Sequence, residues 1–514
     1  MKSLKEPWRV YSPATGEQIY TMEETDTGQV DSMMANGRKA FGQWSSLSVE
    51  ERLPYFSSLR EILLDEMEHT VDVISSDAGK VPLDALVADI MPVLDFIKSL
   101  EKDAISMLGK QKVKTPILFI GKKSYIEYMP RGIVLVISPW NYPFQLSMVP
   151  ILSALIAGNA VISKPSEVTP YVGKYMEELF SKAGFPADIV QFAHGGKELG
   201  GELVSASPDY IFFTGSVATG RTIASQAASS LIPCTLELGG KDPMIVCSDA
   251  SVERAAKGAI WGAFTNSGQV CMSVERLYVA QDIYSEFVQA VCSEVSKLTQ
   301  GTSKDDDIGS MTFPRQIEIV KEHILDALSK GAVLQTGKHP DEWDQQSMFL
   351  EPMVLTSVDA SMNIMNEETF GPILPIVPFN DIEEAIELAN DNPYGLNASV
   401  WSADIAHAES IASRLVSGAV IINDVIISVA NHHLPFGGAK NSGIGRYHGE
   451  NGLRMFCHEK SIMVDKGKNN SEIQWYPYKG KYSHFHSLLK AYFGKQKNWP
   501  AFLRHYLNLL KKNN

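Results

Sequence analysis

From Gly132 onward the chain alternates short runs of β-branched and aromatic residues with segments whose apolar positions recur at helical spacing. This alternation predicts a parallel sheet with crossover helices. GIVLVIS (132–138), AVISKP (160–165) and DYIFFTG (209–215) read as strands, and Ser147–Leu155, Tyr171–Ala183 and Thr219–Ser229 as the helices after them. A second series starts after Gly240 with PMIVC (243–247), a helix near Val252–Thr265 and RLYVA (276–280). It continues through VLQTG (333–337), LPIVPF (374–379), ASVWS (398–402) and AVIIND (419–424). The expected fold class is α/β, with two doubly wound domains. Between Val113 and Met129 two alternating runs flank Gly121-Lys122 and predict a β-hairpin projecting from the first domain.

Two further segments depart from this alternation. Pro143–Ile162 is mostly apolar and long enough to cross a bilayer. Gln145, Pro150 and the Gly158-Asn159 turn interrupt it, so it reads as a buried helix running into a buried strand. After Pro500, the residues Phe502, Leu503, Tyr506, Leu507, Leu509 and Leu510 fall on one arc of a helical wheel. Arg504, His505, Asn508, Lys511 and Lys512 fill the rest, which predicts a basic amphipathic helix.

The length of 514 residues exceeds the ~250 to 300 at which one core stops growing, so several domains are expected. A net charge of −14 argues against nucleic-acid binding by the body of the chain. The charge is unevenly spread: residues 466–514 carry ten Lys or Arg against Glu472 alone, a balance of +9, which leaves −23 on the remainder. The five cysteines are odd in number and widely spaced, with no CxxC pair and no metal-ligand spacing. They suit a reducing compartment and no metal is expected. MKSLKEPWRVYSPATGE lacks an apolar signal core, so a cytoplasmic protein is expected, with the tail either in peripheral contact with the inner face of a membrane or packed on the acidic body or a partner subunit.

Cys271 lies in FTNSGQVCMS, residues 264–273. A lone cysteine among apolar residues is ordinarily a core residue. Here the turn-prone Asn266, Ser267 and Gly268 leave room for another molecule near the sulfur. A free thiol is only a few per cent ionised near neutrality, so a catalytic one needs a base. Glu237 in TLELGGKDP sits at a strand end beside Gly239-Gly240. It could solvate itself at a surface, but the double glycine lets backbone pack against a ligand. Asn141 in SPWNYPFQ follows a buried strand, where ligands bind in open α/β sheets. It could hold a turn between Pro139 and Pro143, or donate to a developing oxyanion, worth ~3 to 4 kcal/mol in such sites. Gly215-Ser216 stands between a strand and a helix, where helix N-terminal amides can bind phosphate. It is not the GxGxxG fingerprint.

Taken together, SPWNYPF, AGNAVISKPSE, FTGSVATG, LELGGKDP, NSGQVCMS, EETFGPILP and LPFGGAKNSGIGR resemble the NAD(P)-dependent aldehyde dehydrogenase superfamily, over about Tyr11 to Asp465. The resemblance implies that Cys271 is the nucleophile and Glu237 the base that activates the deacylating water. Asn141, with the N–H of Cys271, matches the oxyanion hole. Lys164 and Glu167 match the residues that contact the adenosine ribose, and Gly215 and Ser216 the pyrophosphate turn. Glu368 and Phe370 match the pair that places the nicotinamide ribose and ring. Ser138, Pro139, Trp140, Leu238 and Gly239 complete the cofactor set, and no metal is implied.

The implied organisation is a Rossmann-like NAD-binding domain of residues 1–112 and 131–240, and an oligomerisation hairpin of 113–130. A catalytic domain of 241–430 and a return to the cofactor domain with an oligomerisation strand over 431–465 follow, then the basic tail of 466–514. A homodimer or homotetramer is expected. The implied reaction is thiolate attack on an aldehyde, hydride transfer, and hydrolysis of the thioester with Glu237. The Glu167 carboxylate suits the free 2′-hydroxyl of NAD, with NADP as the other possible cofactor. NDVIISVANHHLPFGGAKNSGIGRYHG (423–449) resembles the fatty aldehyde dehydrogenase branch, which implies medium- or long-chain aliphatic aldehydes. PATGE (13–17) resembles the general branches, which leaves small polar semialdehydes and betaine-type aldehydes as alternatives. His432 and His433 are expected as loop residues near the substrate entrance. A CoA-dependent acylating enzyme would lack the base, and a noncatalytic relative would lack Cys271, Glu237 or Asn141. All three are present.

Overall fold

The computed structural model describes residues 7–511. It divides into two compact units, one of Tyr128–Glu459 with the chain up to Gly109, the other of Lys110–Glu127 with the chain from Lys460. The first six residues of the leader reading and Lys512 lie outside the described residues.

In chain order, β1 (Trp8–Tyr11) and β2 (Gln18–Met22) form an antiparallel ribbon. β3 (Gln111–Val113) and β4 (Lys123–Pro130) precede a parallel series of β5 (Ile133–Ile137), β6 (Ala160–Lys164), β7 (Val190–Phe192), β8 (Tyr210–Thr214) and β9 (Cys234–Glu237). A second series comprises β10 (Asp242–Val246), β11 (Val274–Ala280), β12 (Val333–Leu334), β13 (Met353–Thr356), β14 (Ile373–Phe379), β15 (Asn397–Trp401) and β16 (Ala419–Ile422). Two more strands, β17 (Gly443–Ile444) and β18 (Cys457–Val464), complete the set.

The two series form two sheets. The first has the order β17-β9-β8-β5-β6-β7, parallel except where β17 pairs antiparallel with β9. The second has the order β12-β13-β14-β11-β10-β15-β16. β5, β6 and β10 are buried along their whole length, as apolar runs must be when helices cover both faces of a parallel sheet. The apolar stretch from Pro143 is the helix Gln145–Ile156 running into β6, and every residue of both is buried except Leu146, which faces the site. Among the described residues no helix is long and apolar enough to cross a membrane.

The second unit departs from the sequence reading in two places. An antiparallel pair does form, but its first strand is β3, and Ile117–Phe119 is a short 3-10 turn instead of a strand. Pro116 removes a ladder donor, and Leu118 packs into a helical cluster with Ile473 and Leu488. The tail holds two helices, Tyr482–Phe493 and Trp499–Lys511, packed on each other around Leu488, Ala491, Phe502 and Leu509. This pairing divides the expected apolar arc: Phe502 and Leu509 are buried, while Leu503 and Leu507 are exposed.

Candidate active site

β5 is the first strand of its sheet, with β6 and β7 laid on one side and β8 and β9 on the other. The connections that leave β5 and β8 therefore diverge, opening a crevice at the carboxyl ends of these strands. Ser138–Asn141 leave β5 there, Lys164 ends β6, Gly215-Ser216 follow β8 and Glu237 ends β9. Ser216 caps the helix Val217–Ser229, its Oγ accepting from the Thr219 N–H at 3.3 Å. The first amides of that helix have no intrahelical acceptor and are free to bind an anion.

A cavity of about 260 Å³ opens at this crevice, and eleven of the fourteen sequence-identified residues line it. They are Pro139, Trp140, Asn141, Gly215, Ser216, Glu237, Leu238, Gly239, Cys271, Glu368 and Phe370. The exceptions are Ser138, Lys164 and Glu167. Lys164 donates to Glu167 Oε2 at 2.9 Å, and the Ser138 hydroxyl is buried without a protein partner among the described residues.

The turn that delivers Cys271 is left-handed at three successive residues: Asn266 (φ 51°), Ser267 (φ 57°) and Gly268 (φ 71°). A side chain at 268 would place Cβ 2.1 Å from the Gly371 carbonyl oxygen. Hydrogen bonds hold this costly backbone. The Asn266 amide donates to the carbonyls of Asn141 (3.0 Å) and Gln269 (3.2 Å), Ser267 Oγ donates to the Gly309 carbonyl (2.9 Å), and Gln269 Oε1 accepts from the Thr312 N–H (2.9 Å). Asn141 Nδ2 donates to the Gln269 carbonyl at 2.9 Å. An amide NH2 has two hydrogens, so one remains to donate to a ligand beside Cys271.

Nothing in the local sequence marks the group that anchors Asn141 from behind. Lys80 is buried, donating to Asp89 Oδ2 at 2.7 Å and to the Asn141 carbonyl at 2.8 Å, with its ammonium 4.1 Å from the Tyr142 ring centroid. Asp89 Oδ1 accepts from the N–H groups of Phe144 (3.2 Å) and Gln145 (3.1 Å). The pair thus fixes the loop at Asn141 and again at Phe144 and Gln145 beyond it. Its members come from a helix end and a helical segment more than fifty residues upstream, a proximity that only folding creates.

On the opposite wall Glu368 Oε1 accepts from the Gly240 N–H at 3.0 Å. A Cβ on Gly239 would fall 2.2 Å from Glu368 Oε2 and displace this carboxyl, and one on Gly240 would fall 2.4 Å from the Cys271 carbonyl oxygen, so the double glycine lets both approach. Phe370 is left-handed (φ 54°), and Glu275 holds it by accepting from the N–H groups of Thr369 (2.8 Å) and Phe370 (2.9 Å). Glu275 is itself paired with buried Lys241 at 2.5 Å. Trp140 meets the Phe370 ring edge-on at 5.4 Å. Lys241 and Glu275 are further site-building residues that sequence reasoning missed.

Glu237 is buried, and neither of its carboxyl oxygens has a hydrogen-bond partner among the described residues. Burial drives its proton affinity well above the ordinary carboxyl value, partly opposed by Arg446. Glu368 is pushed up to about 8 by burial and then by the neighbouring Glu275 charge. Burial, followed by the charges of Glu368, Asp242 and Glu237, raises the Cys271 thiol. A thiol so placed keeps its proton near neutrality, and the ionised form of an unpartnered carboxyl of raised proton affinity is suited to receive it.

A second cavity, of about 310 Å³, meets the first at Leu146, Thr214, Glu237, Leu238 and Cys271. Its walls include Tyr142, Trp261, Val270, Leu396, Ile426, Val429, Phe436 and Tyr447, and among the described residues no Lys or Arg lines it. Val87, Met91, Trp261 and Ile427 line it and are also exposed to solvent, which makes an apolar rim. His432 is turned inward, with Nε2 3.0 Å from the Pro92 carbonyl and its ring 5.0 Å from that of His448. His432 and His433 line a neighbouring cavity with Asp95 and Lys98 that shares Ile427 and Ala430 with the apolar one.

Residues 1–462 match a family model described as the aldehyde dehydrogenase family. A 4,4′-diapolycopene aldehyde oxidase from a Methylomonas species is 43% identical over 486 residues, covering 94% of this chain and 91% of the relative. An aldehyde dehydrogenase from Mycobacterium tuberculosis, solved in complex with NAD+, superposes with a TM-score of 0.85 at 31% identity, over 90% of this chain and 96% of that one. A betaine aldehyde dehydrogenase from Staphylococcus aureus, also in complex with NAD+, gives a TM-score of 0.84 at 32% identity, over 92% and 94%.

Proposed function

The chain belongs to the aldehyde dehydrogenase family, and from that premise we propose that it oxidises apolar, medium- or long-chain aldehydes with Cys271 as nucleophile, Glu237 as general base and Asn141 as oxyanion donor. The enzyme is an NAD(P)-dependent aldehyde dehydrogenase that turns an aldehyde into a carboxylic acid. The observation that carries the substrate assignment is the apolar cavity that reaches Cys271 without a single Lys or Arg in its lining. A carboxylate-tailed semialdehyde would find no counter-ion there.

Cys271 Sγ adds to the carbonyl carbon as the C=O electron pair moves to oxygen and the thiol proton passes to Glu237. The free Asn141 Nδ2 hydrogen and the Cys271 N–H donate to that oxyanion. The residues at the crevice fit a dinucleotide: Gly215-Ser216 and the helix amides for its phosphates, Lys164 and Glu167 for the adenosine ribose, Glu368 and Phe370 for the nicotinamide end, and Ser138, Pro139, Trp140, Leu238 and Gly239 around it. Its oxidised nicotinamide supplies the hydride acceptor that leaves a thioester on Cys271. Glu237 passes the thiol proton on to solvent; a water deprotonated by the regenerated carboxylate then adds to the thioester carbon, and the C–S bond breaks to release the acid as the Cys271 sulfur takes back a proton from Glu237. An unpartnered base beside the thiol disfavours transfer to CoA, and the convergence of all three residues disfavours a noncatalytic role.

Glu167 favours NAD over NADP, because its carboxylate would repel a 2′-phosphate. The proposal includes the oligomerisation roles of residues 113–130 and 431–465, a homodimer or homotetramer, and peripheral membrane contact through residues 466–514. The test is a series of aldehydes of increasing chain length, read by NADH absorbance with NAD and NADP in parallel. Burial of each methylene is worth about 0.8 kcal/mol, so kcat/KM is expected to climb about fourfold per added CH2 until the cavity is filled. A flat or falling series, with a small polar aldehyde preferred, would overturn the substrate assignment and leave the reaction class intact.

A further inference from the structure

We propose that the helical hairpin of the second unit docks on the surface of an anionic lipid bilayer. Its two helices, of 12 and 13 residues, are too short to cross a bilayer. They bury one apolar seam against each other and leave a second set of apolar groups unused. At the turn between them the Tyr492 ring lies 4.7 Å from Phe493 and 5.9 Å from Trp499. Phe493 is 68% exposed and Trp499 46%. The Lys497 ammonium stands 5.5 Å from the Tyr492 ring centroid and 5.9 Å from that of Trp499, and Lys495 is exposed in the same turn. Leu503 and Leu507, one helical turn apart, are also exposed.

The charge around these groups selects the occupant. From Tyr482 to Lys511 there is no acidic residue, while Lys490, Lys495, Lys497, Arg504 and Lys511 are all exposed. Exposed Trp and Phe side chains would suit a protein partner as well as a lipid one. Lysine separates the two, since it is depleted from protein interfaces and attracted to anionic headgroups. Aromatic rings flanked by lysines match the interfacial zone of a membrane, where an apolar body and a polar tip are satisfied together. This inference rests on the membrane contact proposed above for residues 466–514 and names its hairpin surface and the headgroup charge; it is independent of the dehydrogenase assignment, although an enzyme for apolar aldehydes gains from residing where they partition.

The full-length enzyme is expected to co-sediment with phosphatidylcholine vesicles containing phosphatidylglycerol, and much less with phosphatidylcholine alone, with binding that weakens as salt is raised. Each lysine near an anionic surface contributes about fivefold in partitioning, so Lys495→Gln with Lys497→Gln should weaken binding about 30-fold. Phe493→Ser with Trp499→Ser should remove the binding that survives at high salt. Unchanged oxidation of a short, water-soluble aldehyde by both double variants establishes that they fold. No binding of the wild type to the anionic vesicles, or equal binding by the lysine variant, overturns the proposal. So does a change of oligomeric state in the Phe493/Trp499 variant with vesicle binding intact, which would assign the face to a second copy of the chain.

Discussion

Replacing Lys80 by Met tests how the oxyanion donor is positioned. The substitution removes the ammonium that bridges Asp89 and the Asn141 carbonyl, and leaves Asp89 buried with only the Phe144 and Gln145 N–H groups to satisfy it. Removing one partner of a buried pair costs about 3 to 5 kcal/mol, so the urea midpoint should fall clearly. The effect on rate has a ceiling and a mechanism. Losing an oxyanion donor outright costs about 100- to 1000-fold in kcat, and a misplacement of about 1 Å costs about 100-fold. Asn141 keeps its bond from Asn266, so a loss of about 10- to 100-fold is expected for Lys80→Met at saturating aldehyde and NAD. A cycle with Asn141→Ala isolates the coupling: if Lys80 acts only through Asn141, the double variant should be no slower than Asn141→Ala alone. Lys80→Met with Asp89→Leu removes both charges and should recover stability without recovering rate. Wild-type kcat in Lys80→Met, or rate losses that multiply in the double variant, would refute the positioning role.

Further outcomes follow from the same geometry. Cys271→Ser should abolish turnover while cofactor binding, read by quenching of protein fluorescence, is retained. Glu237→Gln should leave a single-turnover burst of NADH and stop steady turnover, and normal steady-state rates in it would exclude Glu237 as the deacylation base. Glu368 keeps a proton in the folded chain up to about 8, against an ordinary value of 4.5. Over that interval the folded state binds more protons than the unfolded one, so stability falls as pH rises, by up to about 1.4 kcal/mol per pH unit from this group. Glu368→Gln should flatten that part of the profile in urea titrations from pH 5 to 8. Gly268→Ala, which forces Cβ to 2.1 Å from the Gly371 carbonyl oxygen at φ 71°, should destabilise the chain by more than about 1 kcal/mol and depress kcat.

The central strands of both sheets were legible along the chain because they are buried on both faces and therefore written as continuous apolar runs, as IVLVI in β5 and AVISK in β6, whereas the short β7, β13 and β17 were not read. Cys271, Glu237 and Asn141, which the structure brings to one cavity, could be picked out as candidates for a related reason. Each stands at a strand end or beside a turn whose glycines and asparagine mark backbone that few residues adopt, and such marks are local. Where only a few residues decide a local contest, the sequence reading failed. Pro116 and the packing of Leu118 replaced a strand by a turn, and the tail's apolar arc was divided by a helix that the single-helix reading did not include. The anchor of the site was not legible at all. Lys80, Asp89, Lys241 and Glu275 carry no local mark of their role, and what makes them structural is burial as ion pairs against loops remote in sequence, as Lys80 against Asn141 and Glu275 against Thr369 and Phe370. Periodicity and turn chemistry record what each residue does with its near neighbours, and so they determined the strands, the strained turns and the candidate reactive groups. Which charges could be buried depended on whether an opposite charge arrived at hydrogen-bonding distance in a dry interior, and only the tertiary structure decided that.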